Sequence, residues 1–330
     1  MFEFLIKVVF FLTASLFFAS PVFSPDSLVW QNSLENAPWT KRDAHTAVVF
    51  QDKIWVMGGI RDGDIKLSYE NHVHESDVWV SENGKDWELV TDKAEWGQRR
   101  AHASEVFQDK IWVVGGWEKT SWRFKNDVWS SSDGKNWTEV TSSAPWSARK
   151  GHSLVVFQDK LWLIGGVDAK GAKNDVWVSE NGKDWELVTN KAPWPIMYDQ
   201  TVTVFQNKLW LIGGVIPGML GEHKIWVSEN GKDWELVLEN PPWKGRHGHC
   251  VLLWQNRVWI LAGWSGMGKG FNDVWYSEDG LNWQELKTET PWLGREDPIC
   301  ACFDNKIWIM GGMLTGGRRV NDVWYLTYPE

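Results

Sequence analysis

The segments Trp146-Ser-Ala-Arg149-Lys-Gly-His152, Leu161-Trp-Leu-Ile-Gly165-Gly166 and Asn174-Asp175-Val-Trp177 recur, with small changes, along almost the whole chain. The first residue of the glycine pair marks each copy, and it lies at Gly58, Gly115, Gly165, Gly213, Ala262 and Gly311. The steps between these positions are 57, 50, 48, 49 and 49 residues. A period of about fifty residues is typical of propellers and solenoids. We therefore expect one repetitive domain, although 330 residues alone would suggest two.

Within each copy, short apolar segments alternate with turn residues. In the third copy the segments are residues 152–157, 161–164, 175–178 and 185–188, with tight turns at 158–160 and 180–184. This pattern predicts four strands in an antiparallel meander. The second segment is apolar throughout, which predicts burial of both faces. A four-stranded sheet buried on both sides and repeated six times predicts the blades of a propeller.

The tryptophans follow the same pattern, because 24 of the 28 lie at four positions of the repeat. A leading tryptophan precedes the first strand at Trp39, Trp96, Trp146, Trp194, Trp243 and Trp292. Those of the second strand are Trp55, Trp112, Trp162, Trp210, Trp259 and Trp308. Those of the third strand are Trp79, Trp129, Trp177, Trp226, Trp275 and Trp324. Those of the fourth strand are Trp87, Trp137, Trp185, Trp234, Trp283 and the isolated Trp30.

The position of Trp30 predicts how the ring closes. The sequence ends after a third strand and begins with an isolated fourth strand, residues 28–30. The two ends are therefore expected to complete one blade together, which would remove the free sheet edges. The sequence predicts an all-β, six-bladed propeller closed by pairing of the N-terminal strand with the C-terminal blade.

These residues resemble the kelch-repeat family, in particular its bacterial, tryptophan-rich members that are similar to the central domain of galactose oxidase. The resemblance rests on the glycine pair after an apolar strand, the Asn-Asp-Val-Trp third strand and the later tryptophan, and it covers Leu28 to Tyr328. It implies that residues 25–330 form a single kelch-type propeller.

The charge and the N terminus bear on partners and location. A net charge of −9 and a pI near 5.5 exclude a nucleic-acid backbone as the expected partner. Residues 1–24 have the features of a secretory signal, with Lys7 before the apolar run 8–18 and small residues after it. That run is shorter than the about 20 residues of a membrane span. We expect a monomeric, secreted or periplasmic protein with no membrane span in the mature chain, or a membrane-anchored one if the signal is not cleaved.

Three cysteines are too few for a disulfide scaffold. Cys300 and Cys302 lie on one face of a predicted strand. We expect buried free thiols, with a bridge from Cys250 to the next blade as the alternative.

The residue four positions after each leading tryptophan is polar in every copy and differs in every copy. These residues are Asp43, Arg100, Lys150, Tyr198, His247 and Glu296. Because the first strand of a propeller blade lines the central channel, they are expected at the channel mouth.

The charges at this mouth are expected to be polarised. The predicted basic arc contains Arg99, Arg100, Arg149 and Lys150, and the acidic arc contains Asp43, Glu296 and Asp297. Such a mouth suits a small anionic or zwitterionic ligand, whose carboxylate an arginine binds with two hydrogen bonds. The alternative is that these charges pair with their neighbours and only keep the rim soluble.

An arginine recurs three residues after the leading tryptophan, and a histidine recurs six residues after it. They are Arg42, Arg99, Arg149, Arg246 and Arg295, and His45, His102, His152 and His249. Recurrence at a fixed position favours a structural role in tying blades together. The kelch resemblance implies a second role for the arginine, which contacts a partner's acidic side chain in some propellers of the family. The fourth copy departs from the pattern with Met197, Asp199, Gln200 and Lys224.

Four tryptophans lie outside the repeat pattern. Trp254 replaces a core phenylalanine, while Trp117, Trp122 and Trp264 follow the glycine pairs of copies two and five. Aromatic rings at an open mouth suit sugar faces or apolar side chains. The alternative is packing over the channel rim.

No cofactor is expected. His72 and His74, flanked by Glu70 and Glu75, have ligand types that bind metal. A solvated loop that carries histidines is the preferred interpretation, so we predict no metal site.

We predict a non-enzymatic module that binds a protein or a glycan through its variable loops. The alternative follows from a resemblance to periplasmic kelch mutarotases that act on sialic acid. It implies His247 and Glu296 as proton-transfer groups and Arg100 or Arg149 as the carboxylate-binding residue. The five tyrosines are scattered, which argues against the copper site of galactose oxidase.

Overall fold

The chain folds into six antiparallel sheets, which follow the six sequence copies, here called repeats one to six. The computed structural model describes residues 24–62, 72–119 and 121–329. Almost all of the predicted signal segment, residues 1–23, and Glu70 lie outside the described residues. In the described ranges, no helix has the length and apolarity needed to cross a membrane.

The strands are numbered in chain order. The N-terminal part forms the 3-10 helix Pro25–Ser27 and β1 (Val29–Leu34). Repeat one forms β2 (Arg42–Asp43), β3 (Thr46–Phe50), β4 (Lys53–Arg61), β5 (Val73–Ser81) and β6 (Trp87–Thr91). Repeat two forms β7 (Ala103–Phe107), β8 (Lys110–Glu118), β9 (Arg123–Ser131) and β10 (Thr138–Thr141).

Repeat three forms β11 (Arg149–Lys150), β12 (Ser153–Phe157), β13 (Lys160–Ile164), β14 (Val167–Asp168), β15 (Gly171–Ala172), β16 (Val176–Ser179) and β17 (Glu186–Thr189). Repeat four forms β18 (Thr201–Phe205), β19 (Lys208–Ile212), β20 (Ile225–Ser228) and β21 (Glu235–Leu238). Repeat five forms β22 (Cys250–Trp254), β23 (Arg257–Leu261), β24 (Val274–Ser277) and β25 (Trp283–Glu285). Repeat six forms β26 (Arg295–Glu296), β27 (Ile299–Phe303), β28 (Lys306–Leu314) and β29 (Arg319–Thr327).

The structure is an all-β propeller, but the predicted six-bladed design of uniform four-stranded blades is wrong. Three sheets have four strands, two have five and one has seven. In the seven-stranded sheet, Arg149 of β11 pairs with Lys125 of β9 and with Asp168 of β14. The loop segments of repeat three thereby extend the sheet of repeat two, because extended segments satisfy their backbone N–H and C=O groups by pairing. The sheets are therefore not six separate and equal units.

The ring is closed by the two ends of the chain. The first strands β3, β7, β12, β18, β22 and β27 contact one another in this order, and β27 contacts β3. The N-terminal β1 pairs antiparallel with β29, with Trp30 opposite Leu326. The ring of Trp30 also packs edge-on against the leading Trp292 at 5.6 Å. In repeat three, Trp185 of the fourth strand packs against Trp146 in the same way at 6.0 Å, so β1 takes the place of a fourth strand in repeat six.

The glycine pair allows neighbouring repeats to approach closely. Gly115 has φ +58°, and a Cβ built there would lie 2.8 Å from His152 Cε1 of the next repeat. Gly213 meets His249 in the same way, at 2.6 Å. Where Ala262 replaces the glycine, the next repeat carries Pro298 in place of the histidine. The recurring histidine therefore joins neighbouring repeats, as the sequence predicted.

A disulfide joins two neighbouring first strands. Cys250 of β22 and Cys300 of β27 are bonded, with their Cα atoms 5.9 Å apart. The expectation of free thiols is therefore wrong for this pair, and the alternative bridge to the next repeat is present. The two strands pack side by side, which brings the Cα atoms within the range that a disulfide spans. Cys302 is a free, exposed thiol.

Glu105 is an acidic residue on a core-facing side of a first strand. It lies on β7 between Ala103 and Phe107, which share one face of the strand and pack in an apolar cluster with residues of repeat three. No described residue forms an ion pair with it. Burial raises the pKa of its carboxyl to about 7, against a smaller opposing effect of the Val106 N–H.

We predict that Glu105→Gln stabilises the protein at alkaline pH. Between the unfolded pKa near 4.5 and the folded pKa of about 7, the folded state retains a proton that the unfolded state has released. Stability of the parent protein should therefore fall as pH rises through this window, by up to about 3 kcal/mol. Thermal unfolding of both proteins at pH 4 and pH 8 should show the gain at pH 8 only. The exposed Glu139→Gln is the control, and an equal gain at both pH values would contradict the assignment.

Candidate functional site at the channel mouth

The six polar residues that follow the leading tryptophans are brought together at the channel mouth, and we call them the mouth ring. Each forms a backbone bridge with the residue directly after the glycine pair of its own repeat. The pairs are Asp43–Ile60, Arg100–Trp117, Lys150–Val167, Tyr198–Val215, His247–Trp264 and Glu296–Met313. This pairing places Trp117 beside Arg100 and Trp264 beside His247, although sequence alone did not connect them.

The next residue of each repeat forms a second circle, which we call the inner ring. Its members are Ala44, Ala101, Gly151, Asp199, Gly248 and Asp297. All six have φ between 48° and 59°. Backbone hydrogen bonds link neighbours around the circle, for example from Ala101 N to Ala44 O and from Gly151 N to Ala101 O, both 2.9 Å. The inner ring and the recurring histidines line a cavity of about 240 Å³.

The recurring arginines are not part of this mouth. Arg99 is 1 % exposed and donates two hydrogen bonds of 2.8 Å to the carboxylate of Asp127. Arg149 is bound to Asp175 in the same way, at 2.6 and 2.8 Å. Each arginine also donates to the carbonyl of the first glycine in its own repeat.

This arginine contact lies within a repeat and does not tie two repeats together, contrary to the expectation. The carboxylate of Asp127 also accepts a hydrogen bond from Trp129 Nε1 at 3.0 Å. Burial raises the pKa of Asp127, but the bonds and charge of Arg99 outweigh this and hold it below its usual value. Arg99 and Arg149 are therefore internal structural residues, and the basic part of the mouth is reduced to Arg100 and Lys150. In repeat four, Met197 and Lys224 replace both members of the pair.

Arg100 and Lys150 are neighbours in the mouth ring and are partly buried. Within the described part of the chain, neither forms an ion pair with a carboxylate. The guanidinium of Arg100 lies 5.1 Å from the ring centre of Trp117. Burial lowers the pKa of Lys150 and the charge of Arg100 lowers it further, while the charges of Asp199 and Asp297 partly oppose this. The two side chains therefore carry positive charge at the mouth without a direct ion pair.

The acidic side of the mouth is only partly available. Asp43 is 4 % exposed and accepts a 2.9 Å hydrogen bond from Arg319 Nε. Arg319 also pairs with Asp62. Nothing in the repeat pattern marks Arg319, because it lies in a loop-end position that varies between repeats. Asp43 is therefore neutralised, as the alternative interpretation of the rim charges required.

Two residues proposed for proton transfer are in contact with each other. His247 Nε2 lies 3.2 Å from Glu296 Oε1. The imidazole also packs on Trp264 at 5.8 Å between ring centres. Tyr198 is partly buried in the same ring, and burial together with the charges of Asp199 and Glu296 raises its pKa. An imidazole and a carboxylate in this arrangement can exchange a proton with a bound hydroxyl group.

The three tryptophans that follow glycine pairs, Trp117, Trp122 and Trp264, occupy two places on the loop face. Trp117 packs edge-on against Trp122 at 5.4 Å and against His74 at 5.1 Å. Trp122 is 64 % exposed. Trp264 and Glu296 together border a second, smaller cavity of about 100 Å³ between the loops of repeats five and six.

The candidate metal ligands that the structure describes, His72, His74 and Glu75, do not form a metal-binding group. His74 is buried against Trp117, and burial with the charges of Arg100 and Lys119 lowers its pKa to about 3. His72 Nε2 lies 3.8 Å from Asp62. Among the residues that the structure describes, no group of three or more potential metal ligands is present.

Comparison with known proteins supports the family and the fold. The family described as the KLHDC2/KLHL20/DRC7 Kelch-repeats domain matches residues 19–214. A solved structure titled "Structure of YjhT" superposes with a TM-score of 0.68 and 17 % identity, covering 88 % of this chain and 96 % of that chain. At this identity the likeness shows the fold alone. No curated protein matches the sequence.

We predict that two tryptophans separate binding from stability. Trp162 is 5 % exposed and its ring lies on Gly231 of the next repeat, so Trp162→Ala should cost about 3–5 kcal/mol. Trp117 is partly buried at the mouth, and Trp117→Ala should cost about 1 kcal/mol while weakening ligand binding. Thermal unfolding of both variants provides the measurement. Equal losses of melting temperature would mean that Trp117 is a core residue and not a binding platform.

Proposed function

Because the chain belongs to the kelch-repeat family, we propose that it is a binding module that holds an acidic glycan at the channel mouth, on the face that carries the variable loops. The observation that supports this most directly is the pair Arg100 and Lys150. Every arginine of the recurring position has a carboxylate partner, whereas these two mouth residues have none in the described chain. A partly buried cation without a counter-ion favours an anionic ligand.

The aromatic residues of the mouth favour a sugar as the carrier of that negative charge. Trp117 pairs through its backbone with Arg100, and Trp264 pairs in the same way with His247. Tryptophan rings present an apolar face that packs on the C–H face of a sugar, while the polar mouth ring offers partners for hydroxyl groups. A protein ligand on the same face is the interpretation that remains if no sugar binds.

We also propose that the protein is exported. The features of residues 1–24 support this, and so does the Cys250–Cys300 bond, because structural disulfides persist in oxidising compartments outside the cytosol.

We predict that glucuronic acid binds and that Arg100→Gln weakens its binding about 10- to 100-fold. The loss follows from removal of a charge-assisted hydrogen bond, which is worth about 1.5–3 kcal/mol. Isothermal titration calorimetry on residues 25–330 measures the effect. Lys135→Gln, on an exposed turn of the opposite face, removes the same charge and should bind normally. Equal affinity of the parent protein and Arg100→Gln would contradict the proposed site.

A second candidate function, a sugar mutarotase, is favoured by one observation, the 3.2 Å contact between His247 and Glu296. Opening of a sugar ring at its anomeric carbon needs a base that removes the hydroxyl proton and an acid that protonates the ring oxygen. Glu296 as the base and His247 as the acid supply both groups at one edge of the mouth. The reaction changes no oxidation state and needs no cofactor.

We predict that, if this second function holds, the protein accelerates anomer exchange of an acidic sugar. Magnetisation-transfer NMR on N-acetylneuraminic acid at equilibrium detects the exchange rate directly. Glu296→Gln should lower the protein-dependent rate about 100-fold or more, within the range typical of general acid–base groups, with little change in affinity. If the sugar binds but its exchange rate equals that in buffer, the mutarotase function is contradicted and only the binding function remains.

A further inference from the structure

The inner ring carries two carboxylates at positions where the other repeats have almost no side chain. Four members are alanine or glycine, while repeats four and six contribute Asp199 and Asp297. The carboxyl of Asp199 lies over Gly151, and that of Asp297 lies over Gly248. Both residues line the cavity of about 240 Å³. The two acids therefore form part of its wall.

Neither carboxylate has a direct polar partner among the described residues. No hydrogen bond or ion pair joins the side chain of Asp199 or Asp297 to any residue that the structure describes. Burial is the main cause that raises the pKa of each carboxyl, and the charge of Glu296 raises both further. The charge of Arg100 at both acids, and those of Lys150 and His247 at Asp199, lower the pKa but do not outweigh burial. The cavity thus favours a group that brings positive charge to this side.

Gln200 provides an independent observation at the same cavity. Its side chain is 4 % exposed, and its Nε2 donates a 2.8 Å hydrogen bond to Ile164 O. This bond fixes the amide orientation, and the Oε1 acceptor has no partner in the described chain. Four other repeats carry a histidine here, for example His152, whose pKa is lowered to about 3 by burial, and repeat six carries Pro298. At this position of the repeat, Gln200 therefore offers a buried amide oxygen, one residue after Asp199 in the chain.

The cavity wall thus carries unpaired acceptors, and the mouth cations Arg100 and Lys150 directly precede the wall residues Ala101 and Gly151 in the chain. We propose that the ligand is an amino sugar that also carries a carboxyl group, with its ammonium bound by Asp199, Asp297 and Gln200. Its carboxylate faces Arg100 and Lys150, so this inference rests on the proposed function. A ligand that is only anionic would leave two partly buried acids unmatched. The cavity is smaller than the about 300–1,000 Å³ of drug-sized ligand sites, which fits a single sugar ring.

The test compares two probes that differ only at the nitrogen. Muramic acid carries a free amine and a carboxyl group, and N-acetylmuramic acid has the same ring and carboxyl group with the amine acetylated. Calorimetry at pH 7 should show muramic acid binding at least 10-fold tighter to residues 25–330. In Asp199→Asn this advantage should fall below 3-fold, because the amide no longer attracts the ammonium. Asp109→Asn, on an exposed turn of the opposite face, should retain the full advantage.

The outcomes separate this inference from the function on which it rests. Equal binding of the two probes would overturn the amine site and leave acidic-glycan binding in place. Binding of neither probe would overturn both. An equal loss for both probes in Asp199→Asn would overturn the direct contact, because a structural defect affects both alike. Asp297→Asn repeats the measurement if thermal unfolding shows that Asp199→Asn does not fold.

Discussion

The close approach of neighbouring repeats is the constraint on which the rest of the structure depends. A histidine of one repeat packs on a glycine of the repeat before it, as His152 does on Gly115. In the tight turn between the third and fourth strands, a glycine accommodates a tryptophan of the repeat before it, as Gly231 accommodates Trp162. Both contacts need a residue without a side chain. The glycine pair and the turn glycine therefore fix the distance between neighbouring sheets at two places. Interiors packed at this density transmit small changes of volume to their neighbours.

The same constraint explains why the recurring residues are structural. The bidentate pair of Arg149 and Asp175 fastens the channel link to the third strand of one repeat, and Trp177 completes it with a hydrogen bond to the aspartate. A buried ion pair is tolerated only when its polar atoms find partners, and here Gly165 O, Ser147 O and Ser147 Oγ accept the other guanidinium hydrogen bonds. Positions that carry the same residue in most repeats therefore have a structural role. Positions that differ between repeats are the candidates for ligand contact.

Much of the architecture could be predicted from the sequence. The spacing of the glycine pairs predicted the repeated meander, and Trp30 predicted that the N-terminal strand joins the last sheet. The partition of strands into sheets could not be predicted, because the pairing of Arg149 with Lys125 depends on how two loops meet in space. Mouth residues such as Arg100 and His247 followed from their position after the leading tryptophan. Whether a mouth residue is paired with another charge could not be predicted. Asp43, for example, pairs with Arg319, which lies near the other end of the chain. The two inner-ring acids were visible in the alignment of repeats, but only the cavity showed what they share.

The pairing of β1 with β29 has a consequence for the order of events in folding. Its partners lie almost a whole chain length apart, so the contact forms only after the last repeat has been synthesised. Until then, β1 and the open edge of the sixth sheet remain unpaired, and contacts of such long sequence separation form slowly. A nascent chain of this kind stays open for as long as its C terminus is missing.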